Sequence, residues 1–118
     1  MKKDNLIADK SKAFAIRVIR LYQHLNAEKK EFVLSKQILR SGTSIGANVR
    51  EATGAQSKAD FIAKMHIALK ETNETAYWLE LLTETDYITE KAGDSLQTDC
   101  EEIKKLITTI LKTAKDHT

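Results

Sequence analysis

The sequence predicts an all-α protein: an up-down-up-down antiparallel four-helix bundle with left-handed, coiled-coil-like packing. Three observations carry that expectation. Proline is absent from the 118 residues and glycine occurs only four times, whereas an all-β chain of this length needs many turns built on those residues. Apolar residues recur in four segments at alternating steps of four and three, which keeps them on one side of an α-helix and, at a mean step of roughly 3.5, favours knobs-into-holes packing. Turn and cap residues fall in the gaps between segments. At this length a single domain over residues 1–118 is expected, able to bury roughly two-thirds of the surface its unfolded chain exposes.

The first helix, about 5–26, carries the seam Ile7, Ser11, Phe14, Val18, Leu21, Leu25. A charged stretch from Asn26 to Phe32 separates it from the second, about 34–53, with the seam Leu34, Ile38, Ser41, Ile45, Asn48, Ala52. Gly54 is placed to end that helix as a left-handed C-cap. Ser57, followed by Asp60, resembles a capping box that opens the third helix, about 58–85. Its seam reads Phe61, Met65, Ala68, Thr72, Thr75, Leu79, Leu82. Thr89 is an N-cap for the fourth helix, about 90–115, whose seam is Leu96, Cys100, Ile103, Ile107, Ile110, Ala114. Short connections between long helices make sequence neighbours antiparallel.

Two features exceed what a plain bundle needs. The run Ser41-Gly42-Thr43-Ser44-Ile45-Gly46-Ala47-Asn48 is poor in helix formers, and each interior glycine costs about 1 kcal/mol against alanine. Close approach of another helix is the expected compensation. Asn48, on a seam position, is expected to fix register or oligomer state, as buried asparagines do in coiled coils. Apolar residues also spread beyond the seams, at Ile16, Ile19 and Tyr22, at Tyr77, Trp78 and Leu81, and at Leu106 and Leu111. They mark either a wide core face or a subunit interface anchored by Tyr77, Trp78 and Leu81.

Charge is divided along the chain: residues 1–59 hold 12 Lys/Arg against 5 Asp/Glu, and residues 60–118 hold 7 against 12. The two halves either neutralise each other inside one bundle or leave a basic surface for an acidic partner. Lys3, Lys10, Arg17 and His24 recur every seven residues along helix one and are the candidate nucleic-acid contacts. Arg17 and His24 also share the spacing found in some helical-bundle ribonucleases. No metal or cofactor motif is present. The residues three places before His24, His66 and His117 are Leu21, Ala63 and Ala114, so the Glu-x-x-His pair of di-iron bundles is missing. Cys100, flanked by Asp99 and Glu101, reads as an unreactive structural thiol. The N-terminal residues lead into no apolar run, and the longest uncharged stretch, Ser41 to Val49, is small and polar. Neither a secretory signal nor a membrane span is expected, and the protein reads as cytoplasmic.

The segment Gln37-Ile-Leu-Arg-Ser-Gly-Thr-Ser-Ile-Gly-Ala-Asn-Val-Arg-Glu-Ala52 resembles the signature of the bacterial four-helix bundle proteins, also called 23S ribosomal RNA intervening-sequence proteins. The continuations Gln56–Met65, Ile67-Ala-Leu-Lys-Glu71 and Glu74-Thr-Ala-Tyr-Trp-Leu79 are similar to the same family. The resemblance covers nearly the whole chain and is specific through residues 37–82. It marks Arg40, Ser44, Gly46, Asn48 and Glu51 as structural signature positions. It implies an up-down bundle assembled as a ring-like homopentamer, related to the accessory protein of diversity-generating retroelements, which binds a reverse transcriptase and nucleic acid. The expected function is a non-enzymatic, homo-oligomeric interaction module associated with RNA, DNA or a nucleic-acid enzyme. A structural or protein-partner assembly without nucleic acid is the alternative, and a helical-bundle ribonuclease the remote one.

Overall fold

The computed structural model describes residues 2–117, with side chains from Asn5 onward. The described residues form four helices: α1 (Lys2–Ala27), α2 (Leu34–Thr53), α3 (Lys58–Glu84) and α4 (Glu90–Asp116). They lie in a square in which α1 touches α2, α2 touches α3, α3 touches α4 and α4 returns to α1. Neighbours are antiparallel throughout: Val18 and Ser11 of α1 meet Gly42 and Gly46 of α2, Thr83 and Ala76 of α3 meet Gly93 and Gln97 of α4, and ion pairs set the other two directions. Lys10 reaches Glu102 while Arg17 reaches Asp99, and Arg40 reaches Glu71 and Glu74 while Glu51 reaches Lys64. The bundle measures 48 × 22 × 19 Å. No described helix is long and apolar enough to cross a membrane.

The expected seams of α1, α3 and α4 line the core. All six seam residues of α1 are buried, as are Met65 to Leu82 on α3 and Leu96 to Ile110 on α4. In α2 the core line is different. It runs through Ser35, Ile38, Gly42, Ile45, Val49 and Ala52, with Ser41 also buried. Asn48 is only half-buried, and its Nδ2 donates to the Ser44 carbonyl of its own helix at 2.9 Å. It is therefore not a buried register-setting asparagine. Two seams one residue apart both fit the 4-3 pattern here. The one that buries Val49 wins, because it removes an apolar group from water instead of an amide.

Polar core residues find partners within their own helix or on the next one. The Ser11 hydroxyl donates to the Ala8 carbonyl at 3.2 Å, Thr72 to Ala68 at 2.8 Å, and the Thr75 and Ser41 hydroxyls meet at 2.9 Å between α2 and α3. No buried side-chain nitrogen or oxygen among the described residues lacks a partner.

Helix ends show which caps the chain uses. Ser57 accepts from the Asp60 N–H and Thr89 from the Ala92 N–H, each at 3.1 Å. Gly54 is not a left-handed cap: its φ is −98° and ψ 13°, and no described glycine has positive φ. The left-handed positions are Lys30, φ 54°, and Asp86, φ 67°, in the two connections at the opposite end. At that end Glu31 caps α2, its carboxylate accepting from the N–H groups of Val33 at 3.3 Å and Ser35 at 2.8 Å. A carboxylate there also complements the positive end of the helix dipole.

Glycines sit where α1 and α4 press on their neighbours. A methyl group on Gly46 would stand 3.4 Å from the Ser11 carbonyl oxygen of α1. On Gly42 it would stand 2.8 Å from both Val18 methyls, and on Gly93 2.4 Å from the Thr83 hydroxyl of α3. Gly42→Ala therefore collides with a stiff, fully buried β-branched side chain. The expected cost is about 1–3 kcal/mol by chemical denaturation. Adding Val18→Ala should recover part of it, so that the double variant is more stable than the summed single effects predict. Strict additivity would show that Gly42 and Val18 do not meet.

Candidate interaction face

Arg40, Ser44, Asn48 and Glu51 follow one another at steps of four, four and three along the flank of α2 that borders α3. Arg40 is the centre of their chemistry. Its guanidinium pairs with Glu74 and, at 3.4 Å, with Glu71 of α3, and it also donates to Gln37 Oε1 at 3.3 Å. Trp78 Nε1 donates to the same Glu74 carboxylate at 2.9 Å. The Trp78 hydrogen bond, then that of Arg40, hold the Glu74 carboxyl below its ordinary value against the opposing pull of burial. Ser44 donates to the Arg40 carbonyl at 2.6 Å, and Glu51 meets Lys64 at 3.4 Å. Gly46 stands apart from this group, on the flank facing α1.

Beside the polar network lies apolar surface. Tyr77 is 54% exposed and Ile67 41%. Trp78 and Leu81 are half-buried, and the Tyr77 and Trp78 rings lie 5.5 Å apart at a 54° tilt. The three anchors expected from sequence thus share one side of α3, with the Arg40–Glu74–Trp78 network along its edge.

Of the two arrangements the sequence leaves open, the described part of the stripe on α1 follows neutralisation within the bundle. Lys10 pairs with Glu102 at 3.0 Å. Arg17 donates to Asp99 at 2.6 Å and to the Ser95 hydroxyl at 3.0 Å. Both cations are engaged with α4, and the guanidinium that a ribonuclease would need for phosphate is tied to a carboxylate. His24 is exposed at the end of the helix, and the Lys3 side chain lies outside the described residues. Glu74, Glu71, Asp99 and Glu31 were not picked out from the sequence. Heptad position places a charge on a flank, but it does not say which neighbouring helix that flank meets.

Cys100 is buried, and burial together with Asp99 and Glu101 pushes its thiol up to about 12. A neutral thiol is a poor nucleophile. Among the described residues no group of three or more His, Cys, Asp or Glu could hold a metal ion.

Fold and face together define a class: a single-core antiparallel bundle that carries a polar and aromatic flank on its second and third helices. The chain belongs to the 23S rRNA-intervening sequence protein family, whose model matches residues 3–109. It is similar to a crystal structure from Bacteroides thetaiotaomicron VPI-5482, described as a protein with unknown function from the S23 ribosomal protein family. The two share 62% identity with a TM-score of 0.92, over 93% of this chain and 98% of that one. No curated protein matches.

Trp78 is the single tryptophan, so its emission reports on Glu74. A carboxyl with a lowered folded pKa contributes stability above its unfolded value, and loses that contribution as pH falls through the folded value. Glu74→Gln should therefore be less stable than wild type at pH 7. The gap in denaturation midpoint should close below the ordinary carboxylate range. A Trp78 emission change on acidification should be present in wild type and absent in the variant. A midpoint gap that stays constant with pH would remove the Glu74 assignment.

Proposed function

We propose that this protein is a cytoplasmic, non-enzymatic interaction module that works as a homo-oligomer and associates with nucleic acid. The observation that carries the assembly is the separation of charge between the layers of the bundle. Residues 1–59, with α1 and α2, carry the excess of 12 Lys/Arg over 5 Asp/Glu, and residues 60–118 the reverse excess of 12 acids over 7 bases. Each layer also exposes large apolar side chains, Ile16 and Ile19 on α1 and Ile67 and Tyr77 on α3. Such a molecule is complementary to another copy turned so that unlike layers meet. A heterologous contact of that kind gives a ring where its rotation closes, which is the arrangement a pentamer requires. The buried free thiol of Cys100 fits a reducing compartment. Light scattering should give a mass several times 13.3 kDa, reduced by Ile67→Ser with Tyr77→Ser. A monomer at all working concentrations would sink the assembly.

For nucleic acid, the cations that suit the reading are Lys12 and Arg50. They flank a shallow groove over Ala8, Ser11, Ala15 and Gly46 and take part in no ion pair among the described residues. A protein-only assembly is the second reading, favoured by the engagement of Lys10 and Arg17 with α4. Binding of single-stranded RNA at two salt concentrations separates them. With two phosphate contacts per chain the slope of log K against log salt is about −1.4. Lys12→Glu with Arg50→Glu should abolish binding and preserve the fold. Lys10→Glu with Arg17→Glu should instead lower thermal stability. Absence of wild-type binding at low salt leaves the protein-only assembly.

A further inference from the structure

The end of the bundle that carries the α1–α2 and α3–α4 connections holds a knob and a cleft side by side. The knob is the α1–α2 connection. Phe32 and Val33 there are 52% and 71% exposed, and Lys29 and Lys30 stand just before them, separated only by Glu31, which turns in to cap α2. The cleft, of about 920 Å³, opens between the last turns of α1 and the start of α4. Leu21, Tyr87 and Ile88 supply its apolar floor, and the carboxylates Glu84, Asp86 and Glu90 share its rim with Arg20 and His24. Lys29 itself lines the cleft, so knob and cleft adjoin. None of these rim charges takes part in an ion pair among the described residues.

We propose that two copies of this chain meet end to end about a two-fold axis, the Lys29–Val33 knob of each entering the cleft of the other. The knob brings two lysines to a rim whose three carboxylates outnumber its cations Arg20 and Lys29, and the apolar side chains of the knob find an apolar floor. A two-fold contact is self-complementary, so one end must carry both halves of the fit, and this end does. The mixed charge of the same end argues against an anionic lipid surface or a phosphate backbone as the occupant, since three carboxylates border the cleft. The bundle cross-section of 22 × 19 Å offers roughly 400 Å² per copy, below the roughly 800 Å² per partner of a standard interface. A single contact is therefore weak and concentration-dependent. In a ring with parallel subunits several such contacts act together and strengthen one another.

The test uses the full chain and two charge-reversed variants. One carries Lys29→Glu with Lys30→Glu. The other carries Glu84→Lys with Glu90→Lys, leaving Asp86 in its left-handed position. Sedimentation velocity over a concentration series should show wild type doubling the mass of its smallest species. Each variant alone sets like charges against each other and should associate about tenfold more weakly or worse. An equal mixture of the two restores opposite charges at both sites, and doubling should return. Rescue by mixing distinguishes a contact from a folding defect, and Phe32→Ser with Val33→Ser gives a second route if a reversed chain fails to fold. The side-to-side assembly is separable, because Ile67→Ser with Tyr77→Ser lowers the mass of the smallest species and, by removing the joint action of several contacts, moves its doubling to higher concentration without abolishing it. Doubling by either variant alone as in wild type, mixtures without rescue, or a wild type that never doubles would overturn the end-to-end contact.

Discussion

The closeness of α1 to α2 is the constraint on which the rest of the bundle depends. Ser11 and Val18 of α1 lie against Gly46 and Gly42 of α2 with no room for a further methyl group at Gly42. Two glycines in mid-helix cost about 1 kcal/mol each in propensity. Contact between helices offsets this, since small residues let the surfaces meet with more atoms at van der Waals distance. The run Ser41–Asn48 looks weak as an isolated helix and is stable as one wall of a packed pair.

The opposite seam of α1 has a different character. Between α1 and α4 the outer contacts are polar, the links of Lys10 to Glu102 and of Arg17 to Asp99 and Ser95. These pairs are partly exposed, so each adds little stability by itself. Their value is in alignment, because they hold two antiparallel helices at one register. Beyond Arg17 the links end, and the two helices border the open cleft at the connection end. The bundle thus has a tightly packed side and an open end.

The face formed by α2 and α3 has a different construction. Here one carboxylate, Glu74, receives hydrogen bonds from both Arg40 and Trp78. A charged group so surrounded is held in one orientation, and it holds the indole in turn. The aromatic surface beside it is therefore presented in a fixed geometry, which lowers the entropy cost of meeting a partner. Membership of the 23S rRNA-intervening sequence family and the likeness to the Bacteroides thetaiotaomicron structure establish the fold on which this face is built.

From the sequence alone came the helical class, the four segments, the Ser57 and Thr89 caps, the buried seam of α1 and those of α3 and α4 apart from the half-buried Phe61 and Ala114 at their ends. These follow from local rules, since a 4-3 repeat can be satisfied by one side of one helix without knowledge of its neighbours. Tertiary structure decided what those rules leave degenerate. Val49 rather than Asn48 faces the core, because two adjacent seams fit the same repeat and only packing ranks them. Gly54 ends α2 without a left-handed turn, while Lys30 and Asp86 adopt that conformation, because the connections must cross between packed helices. Lys10 and Arg17, which the sequence left open between a free basic stripe and pairing within the bundle, find acids on α4, and Arg40 finds Glu74, for one reason. A flank acquires its partner only when the order and spacing of the helices around the core are set, and contacts between residues dozens of positions apart set them.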